Sequence, residues 1–404
     1  MPVYTLLLGG VVLAAAAVSV WRQGLRPFPL LSALATLLCL SGILSFSATP
    51  APYLSSLGLA SLAGFLGSLM ILELGIHSRS NWREFASGMV LLSFAFSAHG
   101  LVLWHQAGGK TALKAAFTNP DCFSIIPMIG IFYALGLCLA SKGFVRFLQI
   151  VALLTLSLAL LLTASRSGLL GLAVGYGALL FTLASSQSSN SRSTALKLFI
   201  LPLVLALVLV ASGSDLPLVE RFYRLAEGSD PVSISSRMDV LKHSYRTVLR
   251  SPVVGSGLGC FHLAYQQDRT TLSAGEDYMN VAHNDYVQWF VETGLVGGTT
   301  WLALLLFALG KAWRSYQAPT PWVASQVGAI CGLSTYMALN FACPVPADLL
   351  WIGCVLGLSG ALSRLNAKEG PRRWSPAVFP LSASLLGLAL WSLDCAGRRG
   401  PGNR

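Results

Sequence analysis

The segment AHNDYVQWFVETG, residues 282–294, gathers the residue types that could do chemistry. His283, Asn284 and Asp285 stand just ahead of a long apolar run, and Asp285, Gln288 and Glu292 then fall at i, i+3 and i+7, on one face of a helix. Polar side chains on a face that enters a membrane need partners or water. A histidine just ahead of a helix start lies at its positive end, where the neutral imidazole is favoured and can accept a proton. The same histidine also fits a hydrogen-bonding role at a membrane boundary. Arg166 lies in TASRSG, between two apolar spans. It fits either a headgroup anchor or the partner of an anion. Arg237 follows Ser236 in what reads as the first turn of a helix, with Asp239 completing a start like a capping box. A guanidinium there, beside the helix's unpaired amides, would suit a phosphate. A solvated surface arginine is the plain alternative.

Other candidates carry less chemistry. Lys242, Arg246 and Arg250 form an i, i+4, i+8 stripe that reads as lying on lipid headgroups. On the same predicted helix Met238, Leu241, Tyr245 and Val248 recur at apolar spacing, and Pro252 with Gly255, Gly257 and Gly259 ends it. GSGLG at 255–259 lacks the βαβ context of a dinucleotide site and reads as a tight turn. Asp348 reads as an acid at a helix start. No Cys or His cluster has metal-ligand spacing, and the cysteines read as small buried hydrophobes. Cys122 and Cys260 both fall in segments expected outside, where a disulfide between them is possible.

The elements that must position these residues are membrane helices. Of 404 residues 54% are hydrophobic and 11% charged, too few charges for a soluble domain of this size. Mean hydropathy is +0.66. Apolar runs long enough to cross a bilayer are read near 3–20, 29–46, 53–76, 86–104, 124–140, 145–163, 168–185, 197–212, 285–310, 322–342, 347–363 and 376–394. The first lacks a basic n-region and a clear cleavage site and is kept as a helix. The alternation of a membrane barrel is absent. The short connectors that include Arg22, Arg79, Arg83, Lys142, Arg146, Lys311, Arg314 and Arg364 hold fourteen of the 27 basic residues, which puts them in the cytoplasm. Nine of the 16 acids lie between Asp215 and Asp285, around the only long hydrophilic stretch, about 213–284. The same rule puts that stretch outside.

Five stretches resemble the O-antigen ligase and O-antigen polymerase superfamily of bacterial membrane glycosyltransferases. FTNPDCFS (117–124) is similar to the family's Asn-Pro-Asn segment, with Asp121 in place of the second Asn. TASRSGLLGL (163–172) is similar to its Ser-Arg segment, and SSRMDVLKHSYRTVLRSPVVGSGLGCF (235–261) to its loop helix with Pro and spaced glycines. AHNDYVQWFVETGLVG (282–297) resembles its His-containing signature most closely, and ALNFACPVPADLLW (338–351) echoes its late helix pair. The resemblance spans roughly 115–365 and is nearest to the ligases, although eight spans precede the large loop here where ligases typically have nine.

The resemblance implies an all-α polytopic fold of about twelve transmembrane helices, of the lipid-dependent glycosyltransferase type. Residues 1–212 would hold helices one to eight, 213–284 one large periplasmic loop with an amphipathic helix, 285–395 helices nine to twelve, and 396–404 a polar tail. It implies a metal-independent inverting transferase, without cofactor, in the bacterial inner membrane. A glycan would pass from undecaprenyl diphosphate to an acceptor hydroxyl at the periplasmic face, most simply on lipid A-core. Arg166 and Arg237 would hold the donor diphosphate and His283 would deprotonate the acceptor. Ser236, Asn284, Asp285, Gln288 and Glu292 would support them. Membrane lipids are expected neighbours and nucleic acid is not. The alternatives are a polymerase of lipid-linked chains, a protein O-oligosaccharyltransferase and, in another class, a transporter of the lipid-linked glycan. A transporter would favour polar sites near the bilayer midplane, whereas these cluster at one boundary.

Overall fold

The computed structural model describes residues 29–184, 193–198, 204, 208, 219–220, 231–268, 281–314 and 320–366. The main described elements are all helical: α1 (Leu30–Ser45) with a 3-10 turn at Phe46–Ala48, α2 (Pro52–Gly75), α3 (Arg79–Gln106), α4 (Pro120–Ala140), α5 (Gly143–Leu162), α6 (Arg166–Ala184), α7 (Pro231–Arg250), α8 (Phe261–Asp268), α9 (Asp285–Arg314), α10 (Pro321–Leu339) and α11 (Pro346–Asn366). Among the described residues, eight helices are long and apolar enough to cross a membrane: α1 to α6, α9 and α11. The protein is thus a multi-pass membrane protein. The expected spans 3–20 and 376–394, and most of 197–212, lie outside the described residues. The span expected at 322–342 forms α10, which is not one of the eight. Ser325, Gln326, Ser334 and Thr335 dilute its apolar run.

The chain forms two compact units. The first holds α1, α2, α7, α8, α9 as far as Gly310, and residues 337–360. In it, small residues let α11 lie against α2. A Cβ on Gly357 would come 2.6 Å from the Leu69 carbonyl oxygen, and one on Gly360 2.5 Å from Glu73 Oε1. Buried Glu73 accepts from the Ser32 amide (2.9 Å) and hydroxyl (2.6 Å) at the start of α1. Trp301 of α9 is buried, with its ring centroid 5.2 Å from Trp289 and 5.8 Å from Phe65.

The second unit holds α3 to α6, α10 as far as Tyr336, and the last residues of α9 and α11. Two glycine pairs bring α6 and α10 backbone to backbone. A Cβ on Gly171 would come 2.7 Å from the Gly332 oxygen, and one on Gly332 2.8 Å from the Gly171 oxygen. One turn along, Gly175 meets Gly328 in the same way. Small residues four apart on both helices are the usual device for close packing in lipid, where apolar area gives helices no reason to prefer each other. α4 is buried almost throughout, and Tyr133 on it donates to Gln326 of α10 (3.0 Å).

Candidate active site at the start of helix α9

Asn284 caps α9: its Oδ1 accepts from the Val287 amide (3.1 Å), and its Nδ2 donates to the Ala338 carbonyl (2.9 Å). Asp285, fully buried, accepts from the amides of Ala342 (2.8 Å) and Cys343 (3.2 Å), and so holds the connector before α11. Gln288 accepts from the Ala282 amide (3.2 Å) and donates to Glu292 Oε1 (2.9 Å). Glu292 Oε2 accepts from the Gly259 amide (2.8 Å). The three polar residues of one face thus meet mainly backbone amides, which answer the demand that burial puts on them.

His283 sits in the middle of this arrangement with φ +50°, a left-handed conformation uncommon for a residue with a Cβ. Such a conformation costs roughly 1–2 kcal/mol and persists only where the surroundings impose it. Here Ala282 is tied to Gln288 and Asn284 to Ala338. The residue is half-buried, with Nδ1 out of solvent, and its ring meets the Phe341 ring edge-on, 5.2 Å between centroids. It therefore stands half-buried at the amino-terminal end of α9.

Helix α9 is broken at Gly294, whose φ is +65°. The glycine turn before α8 fills the break. Gly255, Gly257 and Gly259 all have positive φ. The Ser256 amide donates to the Val291 carbonyl (2.9 Å), the Gly257 amide to the Glu292 carbonyl (3.1 Å), and the Leu295 amide to the Pro252 carbonyl (2.7 Å). GSGLG is a tight turn, and its amides also satisfy the backbone that the break leaves open. The sequence reading missed that partnership; its signal was Gly294 inside an otherwise helical pattern. Leu258, at the tip of the turn, packs on Gly42 of α1 and Gly58 of α2.

Helix α7 differs from expectation in two ways. It begins at Pro231, so Ser236 and Arg237 lie in its second turn and not at its start. Proline suits a first helical position because its missing N–H would have no helical partner there, and it extends the helix past the expected cap. The helix's unpaired amides are therefore not beside Arg237. The side chains of Ser236 and Arg237 lie outside the described residues. Second, the buried side of α7 carries Val240, Ser244 and Thr247, while Tyr245, expected in the apolar stripe, is 65% exposed. Val240 packs with Phe261, Ala264 and Tyr265 of α8, and that contact sets the buried face. The end of α7 before Pro252 is as expected. His243 meets Tyr265 edge-on, and burial holds the His262 imidazole below its usual range.

In the second unit, Arg166 opens α6 after a turn in which Ala164 has φ +52°. Arg166 is exposed between buried Ser165 and Ser167. The Ser165 hydroxyl accepts from the Gly168 amide (3.2 Å) and from Ser124 (3.1 Å). Asn119 caps α4 by accepting from the Asp121 amide (2.8 Å). The stretches 117–124 and 163–172 thus meet through the serines. Asp121 contributes its backbone oxygen, which accepts from Ser124 (2.6 Å) and Tyr336 (2.5 Å). Asp348 lies in the first turn of α11, as expected of a helix-start acid, and is fully buried. Cys122 and Cys260 are both free thiols, and Cys260 lies 3.2 Å from the Thr49 hydroxyl.

No curated protein matches the chain. A family model described as O-antigen ligase matches residues 151–302, a stretch that takes in Arg166, Arg237, His283 and the broken start of α9. Residues 151–302 are thus similar to the O-antigen ligase family.

Proposed function

We propose that the chain is a glycosyltransferase of the O-antigen ligase type. It moves a glycan from undecaprenyl diphosphate to an acceptor hydroxyl, on lipid A-core, at the periplasmic face of the inner membrane. The observation that carries this reading is His283: inside the matched segment, half-buried, in a left-handed conformation at the amino end of α9. In the proposed chemistry the neutral imidazole takes the acceptor proton as the hydroxyl oxygen attacks the anomeric carbon. Arg166 and Arg237 hold the donor diphosphate and stabilise the charge that develops on it as it leaves, the role a metal takes elsewhere. Direct displacement inverts the anomeric centre. Asn284, Asp285, Gln288 and Glu292 support the turn that carries His283, and Ser236 supports Arg237. The family match supports a transferase of the ligase and polymerase type.

A deletion strain tests the reading. Full-length lipid-linked polymer should accumulate, and purified protein should restore transfer to lipid A-core in excess chelator. Accumulation of single repeat units would make the protein a polymerase, and a requirement for added magnesium or manganese would show a missed metal site.

A further inference from the structure

Helix α7 buries hydroxyls and exposes apolar side chains on opposite sides. Hydroxyl residues Ser244 and Thr247 point inward with Val240, while Lys242, Tyr245, Arg246, Leu249 and Arg250 are exposed at i, i+3, i+4, i+7 and i+8, a single stripe. Tyr245 is 65% and Leu249 57% exposed, and Val253 continues the stripe at 58%. In water an aromatic and two aliphatic side chains would be set outward at a loss while two hydroxyls are buried. A face that mixes them with three cations fits a bilayer surface, where rings and aliphatic groups reach the acyl boundary and cations meet phosphates.

The depth of the helix comes from a separate observation. The Leu295 amide donates to the Pro252 carbonyl, so exposed Val253 follows directly on a residue tied to exposed Leu295. Leu295 is the first residue after the break in α9. The run from there to Arg314 is about 30 Å long, the thickness of the hydrocarbon layer. Leu306, midway along it, is 70% exposed. The carboxyl end of α7 therefore stands at the level where the hydrocarbon begins. We propose that α7 lies on the bilayer, with its outward stripe seated in a headgroup layer of anionic phospholipid. Tyr245, Leu249 and Val253 dip toward the acyl chains, and Lys242, Arg246 and Arg250 engage lipid phosphates, Arg250 while also donating to Gln267 (2.6 Å). This assignment does not depend on the transferase reading and stands or falls separately.

The test uses the full chain in bilayer nanodiscs of mixed anionic and zwitterionic phospholipid. A photo-crosslinking amino acid replaces Tyr245, Leu249 or, as a lipid-facing control, Leu306, one at a time, and intact mass identifies the adducts. Phospholipid adducts are expected at all three positions. At 245 and 249 they should be enriched several-fold in the anionic lipid. High salt should abolish the enrichment, and so should the combined Lys242→Gln, Arg246→Gln and Arg250→Gln variant. Adducts at 306 with none at 245 and 249, or protein adducts at 245 and 249, would overturn the proposal. Equal capture of the two lipid classes would overturn the assignment of anionic headgroups.

Discussion

At the scale of the residue, the role proposed for His283 can be separated from its conformation. Its left-handed backbone is a strain that asparagine tolerates better than most side chains. His283→Asn should therefore keep the wild-type melting temperature and donor affinity while single-turnover transfer falls by ~10²–10⁴. If His283 only fastens the turn to α9, stability and donor binding will fall together. The arginines should behave in the opposite sense. Arg166→Ala should weaken donor use, and Arg166→Lys should rescue poorly, because a point charge does not reproduce a bidentate fork. Full activity of correctly inserted Arg166→Ala would make it a headgroup anchor. The residue types of this site were legible in the sequence because polar groups in an apolar chain are conspicuous. Their partners were not: Gln288 and Glu292 reach amides of segments before and far before α9.

At the scale of the element, the break in α9 and the glycine turn form one structure. Gly294 has φ +65°, and a Cβ there would strike the Val253 carbonyl oxygen. Gly294→Ala should cost at least roughly 1–2 kcal/mol from left-handed strain alone, with the backbone clash added. Gly88, in α3 with nothing within 4 Å of a Cβ, is the control. Gly88→Ala should stabilise the protein by about 0.5–1 kcal/mol, because alanine favours a helix interior. Thermal melts in detergent would read both, and equal behaviour of the two variants would refute the account of the break. The reading of α7 illustrates what pattern misses. Its carboxyl end was plain from Pro252 and the glycines, but its start moved to Pro231 and Tyr245 turned outward, while Leu241 and Val248 of the expected stripe stay partly buried. The contact with α8 selects the buried face, and periodicity does not report a neighbour.

At the scale of the whole molecule, the basic residues of the short connectors set the expected orientation. Residues 213–284 should face the periplasm, and 77–85, 186–196 and 364–374 the cytoplasm. Single cysteines reacted with an impermeant thiol reagent on intact cells would check this. Labelling at 230 without labelling at 190 is expected, and the reverse would overturn the orientation and the proposed site with it.

The sequence by itself determined the class of the molecule, because crossing a bilayer is a property of local composition and each apolar run declares it without reference to its neighbours. It also marked the candidates for a chemical role, through polar groups placed where they are costly. The tertiary structure decided how those groups are satisfied. Asp285 holds amides at 342 and 343, Glu292 holds the amide at 259, and the glycine turn closes the break at Gly294. Each of these joins segments more than thirty residues apart in the chain, and a partner chosen across that distance is set by packing, which side-chain spacing within one helix does not record.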